Sequence, residues 1–230
     1  MLVTIHQPNY LPWPGFFNKW MQSDAFVILD TVQFHKNDWQ NRNRIKSING
    51  ASWLSVPVHF HFPDAISEVQ IADMNWAKKQ LSSIRQSYAK APFFAAYWPE
   101  IEAILSAQWR SLRDMNMALI RLLGRMLGCH APLYMASDLP VTEQDPTMRL
   151  IALCRLLQAD GYLSGSEGRN YLLQHRFREH DIALWFQHAT APVYPQLHGD
   201  FIPYLSVIDL LFNVGDEATK TVREMGGKVR

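Results

Sequence analysis

Cysteine is scarce in this 230-residue chain: there are only two, Cys129 and Cys154. Neither stands at a metal-ligand spacing or in the dense pattern of a small disulfide scaffold, so a reduced, cytoplasmic setting is the expectation, with a single disulfide still open. Long apolar runs are missing too. No segment reaches the roughly 18 consecutive apolar residues of a membrane span, and the amino terminus lacks the basic and apolar regions of a signal peptide. Charge of one sign is also absent. The formal net charge is +1 and no basic block stands out, which leaves no long-range field to gather nucleic acid. Internal repeats and low-complexity tracts are not found. What the chain does have is aromatic mass, including eight tryptophans, some of which are expected to line a pocket rather than fill the core.

Chemistry concentrates first in the segment from Val3 to Phe16. Leu2 to Ile5 has the β-branched make-up of a buried strand, and Pro8, Pro12 and Pro14 forbid both a central ladder and a helix interior. The chain must turn there, which sets His6, Gln7, Asn9 and Tyr10 on a stiff loop at a strand tip. Pro14 then reads as the first-turn proline of a helix bearing Phe16, Phe17 and Trp20, and a second apolar run, Ala25 to Leu29, ends in Asp30. This is a βαβ unit, and ligands of such units bind beyond the carboxyl ends of the strands.

Thr31 to Gly50 is too polar for a core and too aromatic for a linker, so it reads as a functional loop; Trp53 to Phe62 alternates as a strand near an edge, with Pro57 inside it. From Asn75 to about Gly128 the period is helical, punctuated by Pro92 and Pro99. Strand and helix then alternate again: Leu133 to Ala136, a helix capped by Asp145, Tyr162-Leu163, a helix from Asn170, Ile182 to Phe186, and a helix over Ser206 to Asn213 closed by Gly215. The tail after Lys220 reads as frayed. The expected architecture is α/β with a Rossmann-like, mostly parallel sheet. Residues 1–74 form its βαβ part, 75–128 a helical insertion or lid, and 129–230 the second half of the sheet.

The residues also carry a resemblance. Through His6-Gln-Pro-Asn-Tyr-Leu-Pro-Trp-x-Gly-Phe-Phe17, Gln40-Asn-Arg-Asn-Arg-Ile-Lys46, Tyr162-Leu-Ser-Gly165, Tyr194-Pro-Gln-Leu-His198 and Leu205-Ser-Val-Ile-Asp-Leu-Leu-Phe-Asn213, the chain is similar to the WbqC-like family over nearly its whole length. That resemblance implies a cytoplasmic bacterial protein associated with making surface polysaccharide such as O-antigen, or with specialised sugar or natural-product assembly. It implies no settled reaction. The amino-terminal plan more weakly resembles Rossmann-like HIGH-motif nucleotidyl-transfer and acyl-adenylate enzymes, with His6, Gln7 and Asn9 where that group has a pair of histidines.

Three constellations are candidates for a site. His6 at a strand tip can hydrogen-bond a phosphoryl oxygen as charge develops there. Ser164 and Gly165 end a strand in small residues that can aim backbone amides at an anion, with Arg169 adding a charged fork, although Glu167 brings an acid to the same turn. Asp30, Gln33, Asn41, Arg42 and Arg44 join an acid to amides and guanidinium groups beside Phe34 and Trp39, a set suited to sugar or base stacking. Gln196 and His198 either face a ligand or order the loop before the final helix. His59 and His61 make half of a metal site, and no metal is assigned.

Together these point to a small-molecule transferase or ligase that moves an acyl, aminoacyl or nucleotidyl group onto an activated sugar or amino sugar. His6, Asp30 and Arg42 would be catalytic and the other named residues would bind substrate, with ATP or a nucleotide sugar as the ligand. The competing expectation is a non-catalytic sugar-binding or scaffold protein that offers Trp76, Trp98 and Trp109 as an outward interface. Homo-oligomerisation stays open.

Overall fold

The computed structural model describes residues 1–73 and 75–230, so Met74, where the sequence reading sets its first boundary, lies outside them. The first βαβ unit is β1 (Leu2–His6), α1 (Pro14–Met21) and β2 (Ala25–Ile28). A long crossover then carries β3 (Arg42–Ser47), β4 (Gly50–Ser55), β5 (Val58–His59), β6 (Gln70–Ile71), α2 (Trp76–Tyr88), α3 (Phe94–Ser106) and α4 (Leu112–Met126). The sheet resumes with β7 (Leu133–Met135), α5 (Pro146–Leu156), β8 (Gly161–Ser164), α6 (Gln174–Glu179) and β9 (Ala183–Ala189), and the chain ends in α7 (Val207–Val214), α8 (Glu217–Arg223) and β10 (Gly226–Val229).

The main sheet runs β10-β9-β8-β1-β2-β7, parallel except for the antiparallel edge strand β10. Taken alone, the five parallel strands follow the doubly wound order 3-2-1-4-5, which reverses direction between β1 and β8. Period-two alternation sorts the core. Val3, Ile5, Ala25 and Val27 pack on one face with Leu150 and Cys154 of α5 and Phe177 of α6. Phe26 and Ile28 pack on the other with α1, α7, α8 and the apolar stripes of α2, α3 and α4. The fold is therefore α/β with a mostly parallel, Rossmann-like sheet, as the strand–helix alternation predicts. No helix among the described residues is long and apolar enough to cross a membrane.

Several local expectations are corrected. The tail after Lys220 is not frayed: α8 packs against α1, and β10 pairs with β9 from Gly226↔Ala189 to Val229↔Phe186. Gly226 makes that pairing feasible, since its φ is +138° and a Cβ there would fall 2.1 Å from the His188 carbonyl oxygen. Pro99 lies inside α3 and does not break it, because Trp98, Ile101 and Leu105 are buried along the helix. The polar stretch before Gly50 contains a strand, β3, paired in register with β4. Its alternation is hidden from a hydrophobicity reading because the alternating residues are arginines. They pack over Trp53 of β4, with the Arg42 guanidinium 4.2 Å and the Arg44 guanidinium 5.7 Å from the ring centre. The run expected as one strand from Trp53 to Phe62 is split into β4 and β5, with Pro57 in the gap. After β8 a short 3-10 helix, Ser166–Asn170, precedes α6, so no α-helix opens at Asn170.

Candidate functional site

The sheet order places one cleft, of about 490 Å³, beyond the carboxyl ends of β1 and β8 where the winding reverses. Its polar lining is His6 and Asn9 from the β1 tip, Arg44 from β3, Gln187 from β9, and Gly165, Ser166 and Glu167 from the turn after β8. Trp13, Trp39 and Tyr204 form aromatic walls, with the Trp13 and Tyr204 rings 5.6 Å apart. Gly15 is required here: a Cβ at that position would fall 2.0 Å from the Trp13 indole, which lies against the first turn of α1.

The protonation of His6 follows from its contacts. Its Nδ1 lies 3.0 Å from the Gln7 carbonyl oxygen, and a carbonyl only accepts, so Nδ1 carries the proton. Burial, and secondarily the charge of Lys19, pull the imidazole down to about 3, while the bond to Gln7 acts the other way. At neutral pH the ring is uncharged and Nε2 is a bare acceptor. Phe16 packs edge-on against it at 5.0 Å. Lys19 itself is only 2% exposed, and its Nζ donates to the Ile5 carbonyl at 3.1 Å. Burial draws its ammonium down to about 7.

Of the sequence-predicted residues, the cleft gathers His6, Asn9, Arg44 and Gly165, with Trp39 and Glu167 beside them. The Gln7 side-chain oxygen accepts from Gln40 at 2.7 Å, and Tyr10 is fully buried with its hydroxyl donating to Gln80 at 2.6 Å. Asn41 donates to the Val56 carbonyl at 3.0 Å, and Gln33 pairs in an isolated bridge with Ala65. Arg42 packs on Trp53 rather than lining the cleft. Asp30 is buried on another flank, where it accepts from the Ser137 N–H at 3.0 Å and from Arg113 at 3.3 Å. Ser164 lies buried under the turn, against Gly168, and Arg169 packs over Phe186 with its Nη2 3.4 Å from the terminal Arg230 oxygen. Gln196 donates to Asp209 at 2.9 Å and to the Ile202 carbonyl at 3.1 Å, while His198 Nε2 lies 2.8 Å from the Ser87 carbonyl. His61 lies beyond the end of β5, and among the described residues no group of three or more His, Cys, Asp or Glu could hold a metal. Both cysteines are free, and burial pushes each thiol up to about 12, out of nucleophilic range.

The cleft residues that sequence reasoning passed over have identifiable causes. Gln187 stands near the end of β9 between Phe186 and His188, a weak signal. Tyr204 sits in an irregular segment at φ +59°, with no periodicity to mark it. Lys19, just behind the cleft wall, gave no signal in the sequence, where it stands beside Asn18 as on any polar helix face; its anomaly appears only in the fold, where Pro14 through Trp20 are all buried.

Doubly wound α/β proteins as a class bind ligands at such a switch point. This chain belongs to the WbqC-like protein family, whose model matches residues 7–221. An uncharacterized protein of Mycobacterium tuberculosis, Rv1507c, is 36% identical over 225 residues, covering 96% of this chain and 97% of its own length. No solved structure matches the chain.

Proposed function

We propose that the protein is a small-molecule transferase or ligase that moves an acyl, aminoacyl or nucleotidyl group onto an activated sugar or amino sugar, in the assembly of surface polysaccharide such as O-antigen. The observation that carries this reading is the meeting, in one aromatic-walled cleft, of the bare Nε2 of His6 with the Arg44 guanidinium and the Glu167 carboxylate. Trp13, Trp39 and Tyr204 supply flat faces for a sugar ring or base. Arg44 holds an anionic substituent of the activated donor. The acceptor hydroxyl or amine donates its hydrogen to His6 Nε2 and attacks the acyl carbon or phosphorus. A new C–O, C–N, P–O or P–N bond forms, the bond to the leaving group breaks, and that group departs with the electron pair and takes up the acceptor's proton, which His6 Nε2 holds in line as a hydrogen-bond acceptor. Glu167 orients the acceptor; Asp30, expected from the sequence to be catalytic, is committed to Arg113 and Ser137.

The alternative is a sugar-binding protein without turnover. The interface version of it loses its support, because Trp76 and Trp98 are 8% and 4% exposed and the Trp109 indole donates to the Ile104 carbonyl at 2.7 Å. Calorimetric titration with ATP and with UDP-glucose and UDP-N-acetylglucosamine tests the reading. Binding to at least one, weakened tenfold or more by Arg44→Ala and by Trp13→Ala in folded protein, is expected; a Kd weaker than about 1 mM for every probe refutes it. Group transfer abolished by His6→Ala, with binding retained, separates catalysis from binding.

A further inference from the structure

We propose that Lys19 is the built-in counter-charge for an anionic group of the ligand, a phosphoryl or carboxylate group, seated where β1 ends and α1 begins. This deepens the reading of the cleft as a small-molecule site and rests on it. A lysine ammonium has three donors, and among the described residues Lys19 has one partner, the Ile5 carbonyl, and no carboxylate. A charge buried without a counter-ion is costly unless something the fold does not itself contain completes it.

Position supports the assignment. Lys19 lies one turn of α1 beyond Gly15 and Phe16, both of which line the cleft, and helical side chains lean toward the helix amino terminus, so the ammonium stands behind that wall rather than in it. Its Nζ reaches the Ile5 carbonyl, and the next residue, His6, also lines the cleft. The first turn of α1 adds to the field: it has no side-chain cap and no acid, and Gly15 at its second position has no intrahelical acceptor for its N–H.

His6 on β1 is the titratable group that meets Lys19 electrostatically. The other ionisable groups on the elements packed against α1 are Glu217, Lys220 and Arg223 of α8, His188 of β9 and Lys228 of β10, and all five are exposed to solvent. The lowered proton affinity of the buried amine fits a group that takes up its proton as the anion arrives.

Sulfate, which carries no titrating proton near neutral pH, is the probe, with affinity measured by calorimetry from pH 6.5 to 8.5. With Lys19 titrating near 7, the sulfate Kd of the wild type rises about 25-fold over this range, while His6→Asn keeps that slope. Lys19→Arg binds with no slope, and Lys19→Met binds at least tenfold more weakly at pH 6.5. A cooperative thermal melt of each variant checks folding. Sulfate binding by folded Lys19→Met that matches the wild type in strength and pH dependence overturns the proposal, as does failure of the wild type to bind sulfate at any pH. UDP-glucose or UDP-N-acetylglucosamine binding that is lost with Arg44→Ala but untouched by Lys19→Met leaves the cleft reading standing and removes Lys19 from it.

Discussion

If Lys19 is kept for the ligand, it should cost the empty protein stability, and replacing it should make the fold stronger. The amine titrates at about 7 in the folded chain against its ordinary 10.5. Between those values the unfolded chain binds more protons than the folded one, so stability rises with pH from about 7 to 10.5, and the whole penalty is present below about 7. At about 1.4 kcal/mol per unit the gap corresponds to a penalty of order 5 kcal/mol. Lys19→Met removes the charge and keeps most of the apolar volume. It also strips the Ile5 carbonyl of its donor, at about 1–3 kcal/mol. The expected net gain at pH 6 is therefore about 2–4 kcal/mol, or roughly 5–15 °C in Tm for a domain of this size. Near pH 10 the difference should shrink to zero or reverse, because the amine is neutral in the folded chain and close to its ordinary 10.5 in the unfolded one, so that only about 1 kcal/mol of the penalty is left to set against the lost hydrogen bond. Urea unfolding at pH 6 and pH 10 decides it. A variant less stable than the wild type at pH 6, or one whose difference does not change with pH, refutes the account of Lys19 as an uncompensated charge.

Other consequences are local. Gly15→Ala forces the Trp13 indole off the first turn of α1, so ligand affinity should fall about tenfold while Tm moves by no more than a few degrees; a matched titration and melt would show it. Tyr88→Phe removes the 2.7 Å bond donated to the fully buried Asp209, which also accepts from Tyr194 and Gln196, and should cost about 1–3 kcal/mol in denaturant unfolding. Gly226→Ala drives a Cβ into the His188 carbonyl at a positive φ, so hydrogen exchange of the β10 amides should accelerate while β1 and β2 stay protected.

The sheet was legible because its strands are buried on both faces and read as short apolar runs between turn residues, as at Val3-Thr-Ile5 and Ala25 to Ile28. Asp145 announced α5 for a different reason: its carboxylate accepts the Met148 N–H at 2.8 Å, a capping pattern visible in the residues alone. β3 and β10 escaped notice because neither follows an apolar period. One is ordered by guanidinium groups packing on Trp53, and the other is a glycine-rich edge strand that pairs with β9.

The site was harder to read, since what a polar side chain does depends on which partner arrives from elsewhere in the chain. Tyr10, Asn41, Gln196 and His198 carry the right chemistry for a ligand, yet each is held by a group at least 6 residues away, from Gln80 for Tyr10 to Ser87 for His198. Lys19 is the converse. Its side chain is at odds with the apolar residues around it on α1, and a buried polar residue with one partner for three donors is where function should be sought. The sequence shows a lysine between Asn18 and Trp20; only the packing of α1 on the sheet, which brings Nζ to the Ile5 carbonyl, turns it from an ordinary surface charge into a buried one near the tip of β1.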